Sequence, residues 1–318
     1  MNLQLSAPIP LAVQTAYITH PIYLQHDTGA GHPESYKRLL AIEERLKGSD
    51  LYEQLTHYQA PLATDEQLQR AHGKNYLHNI EADAPATESD TVYLDQDTRM
   101  SFHSLEAAKR AAGAVVLATE LVLSKEVAHA FCAVRPPGHH AKRNRSMGFC
   151  IYNNVMVGIY HALANGINRV ALLDFDVHHG NGSENIIGDD ERILFCSTFQ
   201  HPYYPNEPFN NNEHLICSGL PSGAGSAEFR NEVRTRWIPS LDKFQPEMIF
   251  VSAGFDAHHD DQLAGLNFTT EDYGWIAQVI AGVAGKYCDN RVISTLEGGY
   301  NTDSLATSVE IYLRNMAK

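Results

Sequence analysis

No apolar run in this 318-residue chain approaches the ~20 residues of a membrane span, so a membrane protein is not expected. The amino terminus, MNLQLSAPIPLAVQTAY, lacks a basic stretch followed by an apolar core; no secretory leader is expected, and a cytoplasmic location is. Cysteine is scarce. Cys132, Cys150, Cys196, Cys217 and Cys288 form no CxxC pair and read as reduced core residues rather than a disulfide framework. Basic charge is short as well: 24 Lys and Arg against 38 Asp and Glu leave a net charge of −14, and the only basic cluster is Lys142-Arg143-Asn144-Arg145. Direct nucleic-acid binding is therefore disfavoured, whereas a lysine side chain, a basic peptide or a polyamine is electrostatically compatible. Repeats, linkers and low-complexity tracts are also missing. With 43% hydrophobic and 19% charged residues, the expectation is one globular domain over 1–318.

What is there alternates. Apolar runs at 128–134, 170–173, 193–198, 248–252 and 292–296 read as buried strands, and 91–98 as a strand ending in two acids. Between them lie helical patterns. One has Pro33 or Glu34 in its first turn; one is capped by Ser104; one covers 154–164; one runs from Ser226 and is interrupted at Pro239. Thr269 with Asp272 resembles a capping box, and a last helix carries Leu305, Val309 and Tyr312. The proline-, asparagine- and glycine-rich stretch 200–226 reads as a loop, and residues 1–20 carry no readable motif. Strand–helix alternation of this kind predicts an α/β protein with a parallel sheet covered on both faces.

The polar clusters share one position. His139-His140, Asp174 to His179, Asp256 to His259, and Tyr300 each follow an expected strand. Open α/β sheets bind ligands beyond the carboxyl ends of their strands. Asp176, His178 and Asp256 would supply three ligands and leave a fourth position open, the pattern of a catalytic metal. Their O,N,O donor set favours Zn²⁺ while admitting Fe²⁺ or Mn²⁺. The histidine pair offers a general base and acid, and the Tyr300 hydroxyl an oxyanion donor. Together they describe hydrolysis of an amide or ester.

RPPGHHA, DFDVHHGNG, SAGFDAH and LEGGYN, in that order, resemble motifs of the histone deacetylase superfamily. YLDQDTRMS and GHPES resemble its class II and bacterial deacetylase-like branch. The resemblance implies an arginase-like three-layer α/β sandwich with a mainly parallel sheet and zinc-dependent hydrolysis of acetyl-lysine amides. It makes Asp176, His178 and Asp256 the zinc ligands, His139 and His140 the tandem catalytic histidines, and Tyr300 the transition-state tyrosine. Asp174 matches the carboxylate behind the first histidine, and Asn181 stands where class I members have an Asp behind the second. Potassium is also implied, at an inner site of Asp174, Ser197 and backbone near Asp176, His178 and Thr198.

An amide contributes no charge, so His140 is expected to be more readily neutral than His139 and to act as the base. For the substrate tunnel, Phe149 and Tyr204 match the aromatic walls, with Phe209 as an alternative to Tyr204. Leu263 matches a rim position that is Glu in some polyamine-selective relatives. The expected partner is an acetylated lysine in a protein or peptide, the alternative a small acetylated amine such as an acetylpolyamine. A ureohydrolase of the arginase kind is disfavoured because Gly180 replaces the further carboxylate its two manganese ions need. An acyl-lysine reader without turnover is the non-enzymatic alternative. Oligomeric state is left open.

Overall fold

The computed structural model describes residues 14–316. Among the described residues ten strands run in chain order: β1 (Thr15–Thr19), β2 (Leu55–Gln59), β3 (Thr91–Tyr93), β4 (Arg99–Ser101), β5 (His129–Cys132), β6 (Val170–Asp174), β7 (Ile193–Gln200), β8 (Leu215–Leu220), β9 (Met248–Ala253) and β10 (Val292–Leu296). Eight form one sheet in the order β2-β1-β5-β10-β9-β6-β7-β8, with every neighbouring pair parallel. β3 and β4 form a separate antiparallel pair.

The sheet interior explains its sequence. All residues of β5, β6, β9 and β10 are buried, as strands covered on both faces must be, and they read as apolar runs without alternation. The helices Ser104–Leu123 and Asn154–Ala164 pack on each other and on β5, β9 and β10. Lys37–Lys47, Thr270–Tyr287 and Thr302–Met316 make the second helical layer, giving the three-layer α/β sandwich.

Several local expectations are corrected. The stretch 200–226 contains β8, and 15–19 forms β1. Of 91–98 only Thr91–Tyr93 is strand, because its partner β4 is equally short. The helix expected to open at Pro33 or Glu34 begins at Lys37. Ser104 is the first residue of its helix rather than its cap; its Oγ accepts from the Ser101 N–H at 2.8 Å. Pro239 does not interrupt its helix. A wider π turn, Val233–Trp237, precedes it, and Pro239 enters the first turn of Ile238–Phe244, where its missing N–H costs no hydrogen bond. All five cysteines are free and buried.

The strand order matters most at the centre. β5, β10, β9 and β6 are consecutive neighbours running the same way, so their four carboxyl ends meet along one edge.

Candidate active site

Each of those ends carries part of one cluster. Beyond β6, Asp174 accepts from the Asp176 N–H at 3.1 Å, and Asp176 from the His178 N–H at 2.8 Å, a tight turn that brings both later side chains to one side. Beyond β9, Asp256 accepts from the Val177 N–H at 2.9 Å, tying that turn to its neighbour. Beyond β10, the Gly298 N–H donates to Asp176 at 2.8 Å. A Cβ at position 298 would overlap the carboxylates of Asp176 and Asp256, so only glycine lets the backbone approach.

Asp176, His178 and Asp256 thus place donor atoms within 4.8 Å of one another, all buried. His178 Nδ1 lies 3.1 Å from Asp176 Oδ1 and 3.3 Å from Asp256 Oδ2. The latter contact is too poorly aligned for a hydrogen bond, and Asp256 Oδ2 is buried without a partner among the described residues. Burial and the neighbouring Asp176 push the Asp256 carboxyl up to about 6. Burial opposes charge on His178, yet the two carboxylates outweigh it and hold the imidazole up to about 9. Two buried carboxylates whose ion-pair partners among the described residues are imidazoles alone, with one oxygen orphaned, fit a divalent cation.

The histidine pair borders this cluster, with ring centroids 4.0 Å apart. His139 Nδ1 meets Asp174 Oδ2 at 3.1 Å; against the effect of burial, Asp176 and Asp174 hold it up to about 10. His140 Nδ1 meets Asn181 Oδ1 at 2.8 Å. Burial, then the positive neighbours His139 and His178, drives His140 well below its ordinary value. Asp174 adds to the effect of Asp176 on His139, whereas His140 is lowered chiefly by burial and has no carboxylate behind its Nδ1.

A cavity of about 150 Å³ opens onto the cluster. Phe149, Tyr204, Leu263 and Tyr300 line it with His140, Gly148 and His178. Tyr203, an aromatic of the 200–226 stretch like Tyr204 and Phe209, lines it too, and so does Asp97, which the sequence does not mark as a wall residue. Asp97 and Thr98 accept from the N–H groups of Gly148 and Phe149, at 3.2 and 3.1 Å, and so hold the aromatic wall. Gly148 has φ +58° because its backbone lies directly against the His140 ring. Tyr203 stacks on His178 at 5.7 Å and donates to the Leu263 carbonyl at 2.5 Å. Phe209 sits elsewhere, against Phe199 and His201, because the chain turns away from the cavity after Pro205.

Behind Tyr300 lies a buried ionic group that sequence reading did not find. Arg135 donates to Glu34 at 2.5 and 2.8 Å, and Arg38 to Glu34 at 3.2 Å. Arg38 also donates to the carbonyls of Gly299 (2.6 Å) and Glu297, and its guanidinium lies 5.1 Å from the Tyr300 ring centre. Glu297 itself accepts from the N–H groups of Gly138 and His139 and from Ser252. Burial raises it to about 7. Asp261 accepts from the Tyr300 and Asn301 N–H groups at 2.6 and 3.1 Å. Asp174 and Ser197 are register partners on β6 and β7, and the Ser197 and Thr198 hydroxyls are buried without hydrogen-bond partners among the described residues.

Comparison with known proteins agrees with this geometry. The histone deacetylase domain family matches residues 32–316. A probable deacetylase of Archaeoglobus fulgidus is 32% identical over 91% of this chain and 82% of its own length. A histone deacetylase-like amidohydrolase of Pseudomonas aeruginosa is 32% identical over 89% of this chain and 77% of its own. Among solved structures, the HDA15 HD domain superposes with a TM-score of 0.86 at 28% identity, covering 95% of this chain and 90% of that one.

Proposed function

The chain belongs to the histone deacetylase domain family, a family of amide hydrolases, and from that premise we propose that it hydrolyses the acetyl-lysine amide of proteins or peptides. The proposed catalytic unit is the whole chain as one domain. The observation that carries the reading is the convergence of Asp176, His178 and Asp256, of which His178 lines an aromatic-walled cavity together with His140 and Tyr300, while His139 lies against His140.

In this reading Asp176, His178 and Asp256 hold a divalent ion, Zn²⁺ by the donor set, with Fe²⁺ and Mn²⁺ admissible. An ion held by these three residues would supply Lewis acidity for the scissile carbonyl and for water. Phe149, Tyr203 and Tyr204 enclose the apolar stem of the lysine and keep bulk water out. His140, held neutral, takes the proton from the attacking water and returns it to the departing amine. His139, whose protonated form Asp176 and Asp174 favour against burial, would stabilise negative charge developing on the carbonyl oxygen. Tyr300 donates its hydroxyl to the same oxygen. The Ser197 hydroxyl, on the register partner of Asp174 and without a hydrogen-bond partner among the described residues, supports a structural K⁺ there, with the backbone near Thr198 as a further ligand.

The test is kinetic profiling of metal-reconstituted protein on acetyl-lysine peptides and acetylputrescine. Leu263 at the cavity rim gives no charge to an amine, so the peptide should show the higher kcat/KM. A higher value for acetylputrescine would replace the peptide reading with the polyamine one. Full metal occupancy without hydrolysis of any acyl-lysine would make the chain a reader.

A further inference from the structure

The loop after β7 carries a carboxylate that the scheme above does not use. Glu207 accepts from Asn181 Nδ2 at 2.9 Å through Oε2, and Lys142 Nζ lies 2.8 Å from both of its carboxylate oxygens. Asn181 presents its Oδ1 to His140 Nδ1 at 2.8 Å. The orientation of this amide follows from its neighbours. An ionised carboxylate only accepts, and so does the Met147 sulfur, which lies 3.4 Å from the same Nδ2. Two acceptors on one side require the NH₂ group there, so the carbonyl oxygen must face the imidazole. A carbonyl cannot donate. Neutral His140 therefore carries its proton on Nδ1 and keeps a lone pair on Nε2.

We propose that Glu207 is a positioning residue for the reaction: by orienting the Asn181 amide, it selects the His140 tautomer whose Nε2 is free to accept a proton. This inference rests on His140 being the base, as proposed above. A carboxylate directly behind His140 would fix the same tautomer but would also add charge that favours imidazolium. Here the negative charge stands one hydrogen bond further away and is paired with Lys142, so the ring gains orientation without a carboxylate against it. Asn181 alone does not suffice, since an amide can turn over and offer either end.

The test uses zinc-loaded full-length protein and an acetyl-lysine peptide that the wild type hydrolyses. Glu207→Ala removes the acceptor and should lower kcat roughly tenfold, the worth of one charge-assisted hydrogen bond, with KM within about twofold. Glu207→Gln can still accept from Asn181 while Lys142 turns to solvent, and should recover most of the loss. Glu207 is half-buried in a loop, so both variants should keep the wild-type unfolding temperature. The second readout is the ¹⁵N NMR signature of the His140 ring, assigned by difference against His140→Asn. It should report the Nδ1–H form in wild type and Glu207→Gln, with Nε2–H gaining population in Glu207→Ala. An Nε2–H ring in the wild type, or a tautomer untouched by Glu207→Ala, overturns the proposal. A wild type inactive on every acyl-lysine peptide defeats the acetyl-lysine reading instead, while the ring tautomer still decides the role of Glu207.

Discussion

Glu34 has no access to solvent, yet its carboxyl titrates at about 2 rather than near 4.5: burial raises it, and the charge and hydrogen bonds of Arg135, with help from His26 and Arg38, overcome burial. A folded-state value below the unfolded one means that its stabilisation is complete above about pH 4.5 and disappears as pH falls towards 2. The contribution is on the order of 3 kcal/mol. Glu34→Gln leaves two buried guanidiniums undercompensated and should cost ~3–5 kcal/mol at neutral pH, with a flatter acid limb, as read from urea unfolding at several pH values. At the chemical centre, His140→Ala should reduce kcat by ~10²–10⁴ while KM changes little. Asn181→Asp should cost far less, because a carboxylate still receives the Nδ1 proton; equal losses in the two variants would remove His140 from its role as base. The residues legible beforehand were those in dense motifs, such as Asp176 and His178 two positions apart. Arg38, Glu297 and Asp97 were not. Their meaning lies in partners far along the chain, as with the bond from Arg38 to Gly299, 261 residues away.

Elements were legible in proportion to their burial. β6, β9 and β10 lie inside the sheet and show as uninterrupted apolar runs. β2 is an edge strand with mostly exposed or half-exposed side chains, LTHYQ, and offers no such signal. β8, on the opposite edge, has Cys, Ser and Gly in its six residues and lies amid loop-forming composition. Pro239 misleads for another reason: a π turn upstream absorbs the missing donor. The helix Ser104–Leu123 yields a prediction of its own. A Cβ on Gly113 would run into the backbone of Pro61 and Ala63, which cannot move aside as a side chain could. Gly113→Ala should therefore destabilise by ~1–3 kcal/mol despite the ~1 kcal/mol that alanine gains in helix propensity. A raised unfolding temperature would contradict that close approach.

At the scale of the molecule, the parallel order of β5, β10, β9 and β6 explains why four motifs spread over 139–300 meet at one edge. This convergence was legible because every motif followed an expected strand. The cavity walls were less so: Asp97 enters through loop geometry that no periodicity encodes, and the loop aromatics Tyr203, Tyr204 and Phe209 carry no sign of which of them face the site. Among the described residues no helix is long and apolar enough to cross a membrane. With a net charge of −14, kcat/KM for acetyl-lysine peptides flanked by basic residues should fall as ionic strength rises, and neutral peptides should respond less. Removing the metal should expose the repulsion between Asp176 and Asp256. Free ion at ~100 times its Kd stabilises the fold by about 2.7 kcal/mol, so chelation should lower the unfolding temperature and added Zn²⁺ should restore it. Metal content per chain after exhaustive dialysis tests the central claim most directly. One equivalent of divalent ion is predicted for the wild type and none for folded Asp256→Ala or His178→Ala; a full equivalent retained by either variant would contradict it.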